Sequence, residues 1–202
     1  MTRFVVTGTG TGIGKTIFSA ALARATGTPY WKPIQSGLEE ETDSETVARL
    51  AGVTVRPEAY RLATPASPHI AAEIDGVNID VGTLAPPSGD LIVEGAGGAL
   101  VPVTRTTLYA DLFAHWQIPV IVCARTGLGT INHSLLTIEA LQLRGVPIHG
   151  LAFLGGAVPD SEAIISEISG VRRLGRLPVI DPLNGETLAA AFKANFQIAD
   201  FA

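Results

Sequence analysis

Near its beginning the chain reads Val5-Val6-Thr7-Gly8-Thr9-Gly10-Thr11-Gly12-Ile13-Gly14-Lys15-Thr16. A short apolar strand runs here into a glycine-rich turn, and the apolar segment Ile17–Leu22 that follows predicts a helix. Glycines let successive backbone N–H groups turn inward around phosphate oxygens, and a helix N-terminus adds its positive dipole at the same place. Lys15 supplies a mobile charge for phosphates, and the Thr16 hydroxyl suits a magnesium site. The stretch therefore predicts a P-loop for a nucleoside triphosphate and its magnesium ion.

The spacing of this turn differs from the common pattern Gly-x4-Gly-Lys-Thr, because Thr9 occupies the position of the first glycine. Gly8 instead precedes Gly14 with five residues between them. An ordinary strand-to-helix loop is the competing interpretation of such a glycine-rich turn. The strand before the turn and the helix after it favour the P-loop.

The length suits one domain, residues 1–202, or at most one domain with a small appendage. Hydrophobic residues make up 47% of the chain, which is ample for a buried core. Charged residues make up 16%, against about 25% in a typical domain, as expected for a sheet covered on both faces. The net charge of −5 and the lack of a basic cluster argue against a nucleic-acid partner.

The only cysteine, Cys123, lies in the apolar run Pro119–Ala124, which predicts a core position and no disulfide. A chain without disulfides is typical of a reducing compartment. No apolar stretch approaches the about 18 residues that a membrane-spanning helix needs. The N-terminal apolar run is too short for a signal peptide. We therefore expect a cytoplasmic protein with no membrane partner.

Short apolar runs alternate with helical patterns, which predicts a parallel α/β sheet. Strands are predicted at Phe4–Thr7, Pro29–Lys32, Asp90–Glu94, Val120–Ala124, Ile148–Phe153 and Val171–Arg176. Helices are predicted at Lys15–Thr26, Ser44–Ala51, His69–Ile74, Leu108–Trp116, Thr130–Arg144, Ser161–Ile168 and Glu186–Asn195. We expect an exposed loop at Ser36–Asp43 and an irregular crossover at 75–89. Ligands of such sheets bind at the carboxyl ends of the strands.

The second predicted strand ends at Lys32 and is followed by Pro33-Ile34-Gln35-Ser36-Gly37. A lysine at the carboxyl edge of a central strand, beside a P-loop, predicts a charge that neutralises anionic oxygens during a reaction. The alternative is a lysine whose stem lies along the strand end while its ammonium stays in water. Ser36 is a candidate hydrogen-bond donor to the same ligand.

The third predicted strand, Asp90–Glu94, ends in a carboxylate that is followed by Gly95-Ala96-Gly97-Gly98. A buried strand that ends in a carboxylate supplies a hard oxygen ligand for magnesium, and the glycines leave room for a substrate. A lone acidic residue at a strand end would ordinarily be a cap. The P-loop favours the metal interpretation.

Two further helix starts carry candidate residues. Asp43 precedes the predicted helix Ser44–Ala51, where it is a candidate N-cap and a candidate metal ligand, two roles that are compatible. The segment Gly127–His133 opens a long helix whose free N–H groups would hold an anion such as a substrate carboxylate. Thr130 is equally an ordinary N-cap candidate.

Taken in order, these segments resemble the dethiobiotin synthetases, which are ATP-dependent carboxylases of biotin synthesis. The segments that carry the resemblance are Val6–Thr9 with Gly14–Thr16, Lys32–Gly37, Ser67–His69, Val93–Gly98 and Gly129–His133. They run through nearly the whole chain, and the Gly-x5-Gly-Lys-Thr spacing is the one that this family uses.

The resemblance implies a homodimer and a doubly wound, mostly parallel sheet in a three-layer, P-loop NTPase-like architecture. It also implies the reaction. One amine of 7,8-diaminopelargonic acid takes up CO2, supplied as CO2 or bicarbonate, to give a carbamate. The γ-phosphate of ATP then activates the carbamate as a mixed anhydride. The second amine closes the ring to dethiobiotin, with Mg²⁺ as cofactor and ADP and phosphate as products.

The resemblance also implies roles for residues. Lys15 and Lys32 stabilise charge, and Lys32 is the family's active-site lysine. The metal ligands are Thr16, Asp43 and Glu94. The nucleotide-binding residues are Gly12, Ile13, Gly14, Lys15, Thr16, Ile17, Asp43, Glu94, Gly95, Ala96, Gly97, Pro178, Val179 and Ile180. The substrate-binding residues are Thr11, Ser36, Gly129, Thr130 and Asn132, and the segment Gly127–Asn132 grips the substrate carboxylate from the neighbouring subunit.

The chain departs from the family pattern at two places. Gly10 and Gly12 stand in a P-loop where the family often has an acidic residue. Some members read the adenine with Asn-Asp, where this chain has Leu154-Gly155. The choice of ATP over other triphosphates therefore stays open at this point.

Other classes compete with this interpretation. A P-loop ATPase switch of the partitioning type carries an extra lysine early in the P-loop, and no lysine occurs between Met1 and Lys15. A synthetase of the amidotransferase kind would need a glutaminase domain, for which 202 residues leave no room. A non-catalytic nucleotide-binding module would not explain Lys32 and Glu94 at adjacent strand ends.

Overall fold

The computed structural model describes residues 1–202 and contains nine strands, seven α-helices and two short 3-10 helices. The strands are β1 (Arg3–Gly8), β2 (Tyr30–Trp31), β3 (Ile34–Ser36), β4 (Val55–Arg56), β5 (Tyr60–Leu62), β6 (Leu91–Glu94), β7 (Val120–Arg125), β8 (Ile148–Leu154) and β9 (Arg173–Leu177). The helices are α1 (Lys15–Thr26), α2 (Asp43–Ala51), α3 (Pro68–Ile74), α4 (Tyr109–Trp116), α5 (Thr130–Gln142), α6 (Pro159–Ser169) and α7 (Gly185–Asn195). The 3-10 helices span Val81–Thr83 and Ile198–Phe201.

Seven strands form one parallel sheet in the order β4-β2-β6-β1-β7-β8-β9. The central strand β1 lies between β6 and β7, with Val6 opposite Glu94 and Val5 opposite Val120. The chain moves to one side of β1 for β2 and to the other side for β7, so the carboxyl end of β1 is a topological switch point. Ligands bind at such points in doubly wound sheets.

Side chains alternate between two cores, one on each face of the sheet. In β1, Phe4 and Val6 face the core beneath α1, α2 and α7, whereas Val5 faces the core beneath α3, α4, α5 and α6. The sheet with a helical layer on each face confirms the predicted α/β architecture. Cys123 is fully buried in the first of these cores, as predicted. None of the helices is long and apolar enough to cross a membrane.

The structure also corrects several predicted boundaries. All seven helices occur, and α1 has the predicted bounds, whereas α5 ends at Gln142 rather than Arg144. The predicted strand Pro29–Lys32 is reduced to β2, and the predicted Val171–Arg176 is shifted to β9. The predicted loop Ser36–Asp43 is exposed only at Glu39–Glu41, since Ser36 belongs to β3 and Asp43 opens α2. Within residues 75–89, the predicted crossover holds a single 3-10 turn.

The strands β3, β4 and β5 were not predicted. Each has two or three residues, and β3 pairs with β5 in a separate two-stranded sheet. Strands this short have no measurable alternation, and their pairing depends on residues that are distant in the chain. The small sheet carries the segment from Gln35 to Gly37, which follows the carboxyl end of β2.

Candidate active site

The P-loop begins at the carboxyl end of β1, in the centre of the sheet. Its Gly12 and Gly14 have φ angles of 67° and 99°, a region that side chains rarely adopt. Gly14 is also the N-cap of α1 and supplies no side-chain hydrogen bond. The N–H groups of the first turn of α1 are therefore free to bind an anion. This geometry suits a phosphate.

A pocket of about 750 Å³ opens beside the P-loop. Its walls come from the P-loop, the start of α1, the segments after β2 and β6, the start of α2 and residues 65–68. The lining residues are Thr11, Gly12, Gly14, Lys15, Thr16, Ile17, Lys32, Gln35, Ser36, Asp43, Thr46, Pro65, Ala66, Ser67, Pro68, Glu94, Ala96, Gly97 and Val101. The fold thus brings most of the predicted phosphate, metal and reaction residues to one place.

Lys15 is buried at the start of α1, and its Nζ donates a hydrogen bond to the carbonyl oxygen of Gly10 at 2.8 Å. Burial lowers the pKa of the Lys15 ammonium, and the nearby Glu94 carboxylate offsets only part of this effect. The hydrogen-bond partner of the ammonium is a neutral carbonyl, so its charge stays available to a phosphate oxygen.

Four side chains form a polar cluster on the floor of the pocket: Thr16, Lys32, Asp43 and Glu94. Thr16 Oγ1 lies 2.9 Å from Asp43 Oδ1 and 2.8 Å from Glu94 Oε1. Lys32 Nζ lies 2.5 Å from Asp43 Oδ2 and 3.1 Å from Glu94 Oε1. The ammonium therefore bridges the two carboxylates, and the threonine hydroxyl lies between the same two groups.

The sheet register explains why Lys32 and Glu94 meet. In the parallel pair β2–β6, Trp31 is opposite Val93, so the next residue of each strand projects from the same edge. Glu94 is fully buried, and the side chain of Lys32 is 4% exposed. The alternative of a solvated Lys32 ammonium is therefore wrong, because the ammonium points inward to a buried carboxylate.

Asp43 reaches the cluster from the first position of α2. The N-cap is the preceding residue, Thr42, whose side chain accepts a hydrogen bond from the Glu45 N–H while the Glu45 carboxylate accepts one from the Thr42 N–H. This capping box satisfies the helix end, so the N-cap interpretation of Asp43 is wrong. The Asp43 carboxylate is free to face Thr16 and Lys32.

The cluster is electrostatically coupled. Burial alone would lower the pKa of the Lys32 ammonium, but Glu94 and Asp43 raise the pKa above its ordinary value. Burial alone would raise the pKa of the Asp43 carboxyl, but Lys32 and the Thr16 hydrogen bond lower that pKa. Lys32 is therefore charged and Asp43 is ionised at neutral pH.

The oxygen atoms of the cluster fit a hard divalent cation. Mg²⁺ is bound in nucleotide sites by one or two carboxylates, a hydroxyl, phosphate oxygens and water. Thr16 Oγ1, Asp43 Oδ1 and Glu94 Oε1 are such donors, and each of the two carboxylate oxygens lies within 3 Å of Thr16 Oγ1. No group of three or more His, Cys, Asp or Glu side chains offers an alternative metal position in the chain.

A second pocket of about 320 Å³ adjoins the first through Gly14 and Ile17. Its walls are mainly apolar, and its lining residues are Ile13, Gly14, Ile17, Arg125, Leu154, Gly155, Leu177, Pro178, Val179, Ile180 and Leu183. The predicted Pro178–Ile180 segment thus lies next to the P-loop. Arg125 lines this pocket but was not predicted as a binding residue. Its position at the carboxyl end of β7, where ligands of parallel sheets bind, was a signal that could have identified it.

The predicted substrate-binding residues Thr11 and Ser36 also line the first pocket. The Ser36 Oγ atom is buried and has no hydrogen-bond partner within the protein. The Gln35 side chain, which was not predicted, donates to the carbonyls of Ser36 and Gly37 and accepts from the Asp43 N–H. Gln35 thereby ties the segment that carries Ser36 to the start of α2.

The start of α5 lies outside the P-loop pocket. Gly129 is its N-cap with a φ of 89°, so the N-cap interpretation of Thr130 is wrong. The Thr130 Oγ1 atom is buried without a partner. Gly129, Thr130 and Asn132 line a separate cavity of about 670 Å³ that has no lining residue in common with the P-loop pocket. Within one chain, these three residues are not brought to the active site.

Comparison with known sequences identifies close relatives. The family model described as an AAA domain matches residues 2–187. The ATP-dependent dethiobiotin synthetase BioD of Sphingopyxis alaskensis is 82% identical over 201 residues, and the match covers 100% of both chains. The protein of the same name from Novosphingobium aromaticivorans is 64% identical, again over 100% of both chains.

Comparison with solved structures identifies fold neighbours. A ParA family ATPase from Chlorobium tepidum superposes with a TM-score of 0.58 at 10% identity, over 96% of this chain and 93% of that one. The cell division ATPase MinD of Pyrococcus furiosus superposes with a TM-score of 0.53 at 14% identity, over 96% and 99%. At these identities the likeness concerns the fold alone.

Proposed function

The chain belongs to the family of ATP-dependent dethiobiotin synthetases, and from this premise we propose how its residues carry out the reaction. It is an ATP-dependent cyclo-ligase of biotin biosynthesis, which decides against the partitioning-type, amidotransferase-type and non-catalytic interpretations. The overall reaction we propose joins 7,8-diaminopelargonic acid, CO2 and ATP to give dethiobiotin, ADP and phosphate.

In the first step one amine attacks CO2, and a carbon–nitrogen bond forms while one carbon–oxygen π bond opens onto oxygen. The amine gives its proton to water, which leaves an anionic carbamate. Ser36 Oγ has no partner within the protein and borders the P-loop pocket, so it is placed to donate a hydrogen bond to this anion. The loop that carries it is held by the Gln35 side chain. A fixed donor reduces the reorganisation that the step would otherwise require.

In the second step a carbamate oxygen attacks the γ-phosphorus of ATP, and the bond to the leaving ADP oxygen breaks. An anion then approaches an anion, so repulsion makes up much of the barrier, and positive groups fixed in the site lower it. The Lys15 ammonium is available to phosphate oxygens, and the Lys32 ammonium is held at the pocket floor. The N–H groups of the P-loop and α1 complete the positive surroundings.

Magnesium would supply further charge neutralisation at the phosphates and would be held by Thr16, Asp43 and Glu94. The donor chemistry of these residues supports that assignment. In the last step the second amine attacks the carbonyl carbon of the mixed anhydride. The carbon–oxygen bond to phosphate breaks, the amine loses a proton, and the ureido ring closes.

We further propose that the enzyme is a cytoplasmic homodimer in which the start of α5 binds the substrate carboxylate for the neighbouring subunit. The Thr130 N–H donates to the Gly127 carbonyl oxygen, whereas the N–H groups of Ile131 and Asn132 in the first turn of α5 have no backbone acceptor and suit a carboxylate. Their cavity does not join the P-loop pocket of the same chain, which supports a role toward another copy.

The observation that carries the proposal is the Lys32 ammonium, buried between two carboxylates beside a P-loop pocket large enough for a triphosphate end and a small diamine. The test is phosphate release measured with ATP, Mg²⁺, diaminopelargonate and bicarbonate, and then with each omitted. We expect release only from the complete mixture, with one dethiobiotin formed per phosphate. Release without the diamine would contradict the proposal and indicate an ATPase switch.

A further inference from the structure

The two oxygens of the Glu94 carboxylate have different partners. Oε1 faces the polar cluster, 2.8 Å from Thr16 Oγ1 and 3.1 Å from Lys32 Nζ. Oε2 accepts a hydrogen bond from the hydroxyl of Tyr30 at 3.0 Å. Tyr30 and Glu94 are both fully buried, so water does not compete for this bond.

The position of Tyr30 follows from the sheet. Tyr30 lies in β2 opposite Ile92 of β6, and side chains two residues apart in a strand point to the same face. Tyr30 and Lys32 therefore reach Glu94 from the neighbouring strand, one to each carboxylate oxygen. Tyr30 was not predicted as a site residue, because a tyrosine in a predicted strand is an ordinary core residue.

We propose that Tyr30 is a positioning residue that holds Glu94 Oε2 away from the metal and presents Oε1 alone. The inference rests on the proposed use of Mg²⁺ at Thr16, Asp43 and Glu94. A carboxylate held in this way binds a cation through one oxygen. Mg²⁺ prefers compact, near-octahedral coordination, whereas the larger Ca²⁺ accepts carboxylates that bind through both oxygens. Tyr30 would therefore favour Mg²⁺ over Ca²⁺.

The test is the Tyr30→Phe variant, which removes the hydroxyl and keeps the ring. The readout is calorimetric binding of ADP at increasing concentrations of Mg²⁺ or Ca²⁺, with no diamine present. We expect the Mg²⁺ concentration for half-maximal binding to rise about 10- to 100-fold, as for other partners of metal ligands. The Ca²⁺ midpoint should change far less, because the freed Oε2 can then join the coordination.

The matched control is Tyr109→Phe, since Tyr109 is equally buried and its hydroxyl has no hydrogen-bond partner within the protein. Its Mg²⁺ midpoint should equal that of the wild type. Repeating Tyr30→Phe in a Glu94→Gln background should give no further change in the Mg²⁺ midpoint, because the carboxylate through which Tyr30 would act is then absent.

Two results would overturn the inference: an unchanged Mg²⁺ midpoint, or an equal rise for Mg²⁺ and Ca²⁺, which would indicate a merely structural role. Because ADP binding needs no diamine, these results are independent of the proposed reaction. That reaction fails separately if the wild type releases no phosphate in response to diaminopelargonate.

Discussion

We assign the Lys32 ammonium two roles: it neutralises buried carboxylates in the folded protein, and it stabilises negative charge in the proposed reaction. The ammonium neutralises the buried Glu94 and the half-buried Asp43. In the proposed reaction the same charge faces the carbamate and the γ-phosphate. Removing one partner of a buried ion pair leaves an uncompensated charge, which costs much more than the pair itself contributes.

We therefore expect Lys32→Ala to lower both turnover and stability. The loss of a preorganised charge in the transition state should reduce kcat at least about 10²-fold. Two carboxylates without a counter-charge should reduce the free energy of unfolding by about 3–5 kcal/mol, and Mg²⁺ should restore part of this loss. Phosphate-release kinetics and denaturant unfolding with and without Mg²⁺ measure both effects. The exposed Lys193 provides the control Lys193→Ala, and near-normal kcat in Lys32→Ala would remove Lys32 from the mechanism.

Lys15 has the opposite balance, because burial lowers its pKa and its hydrogen-bond partner is uncharged. A folded-state pKa below the unfolded value means that the charge opposes folding at neutral pH, and that the opposition fades as pH rises toward 10.5. Lys15→Met should therefore abolish turnover yet melt no lower than the wild type without nucleotide at pH 7.

The measurement is thermal unfolding of the wild type and Lys15→Met between pH 7 and 10, without and with MgADP. The wild type should gain stability relative to the variant as pH rises, and only the wild type should be stabilised strongly by MgADP. A variant that melts well below the wild type at pH 7 would show that the ammonium supports the empty P-loop instead.

At the scale of elements, the sequence predicted what local patterns encode. The helix α1 has the predicted bounds because a glycine turn before Lys15 and Gly27 after Thr26 mark its two ends. The N-cap of α2 was misassigned although the signal was present, since Thr42 and Glu45 have the spacing of a capping box. The pairing of β3 with β5 and the hydrogen bonds of Tyr30 and Gln35 depend on tertiary packing, which one-dimensional patterns do not contain.

The end of β8 shapes the pocket next to the P-loop. Leu154 is 6% exposed, and its Cδ1 would lie 3.3 Å from a Cβ at Gly14, so it packs on the P-loop. Gly155 has a φ of 120°, and a Cβ there would lie 2.6 Å from Thr126 Oγ1. An acidic side chain is therefore not accommodated at this position, and the pocket wall at Leu154 is apolar.

From this wall we predict weak selection among the bases. An apolar contact distinguishes planar bases poorly, whereas the P-loop, Lys15 and Mg²⁺ would bind every triphosphate alike. CTP, GTP and UTP should therefore support the reaction with kcat/KM within about tenfold of ATP. The measurement is kcat/KM for the four triphosphates at saturating diaminopelargonate. A preference for ATP of about a thousandfold, or 4 kcal/mol, would mean that backbone groups around Pro178–Ile180 or the Arg125 side chain read the base.

At the scale of the whole molecule, the P-loop pocket and the cavity at the start of α5 are separate within one chain. The resemblance predicted that Gly127–Asn132 serves a neighbouring subunit, and the fold leaves that segment in a cavity separate from the P-loop pocket. Spacing along one chain does not encode a contact between two chains. In a two-fold dimer each site would then combine the P-loop of one copy with the α5 start of the other.

This arrangement predicts that two inactive variants restore activity in a mixed dimer. Lys15→Met disables the P-loop, while Asn132→Asp places a carboxylate at the start of α5, where it stabilises the helix and repels an anionic substrate. In a dimer that contains one chain of each variant, one site combines the disabled P-loop with the altered α5 start. The other site combines the intact P-loop with the intact α5 start. Such dimers, isolated through two different affinity tags, should have about half the wild-type kcat per dimer.

Asn132→Ser is the control, because it keeps a neutral polar side chain at this exposed position. If the isolated mixed dimer is as inactive as its parents, the start of α5 does not serve the neighbouring subunit, since each chain would then need both of its own segments intact.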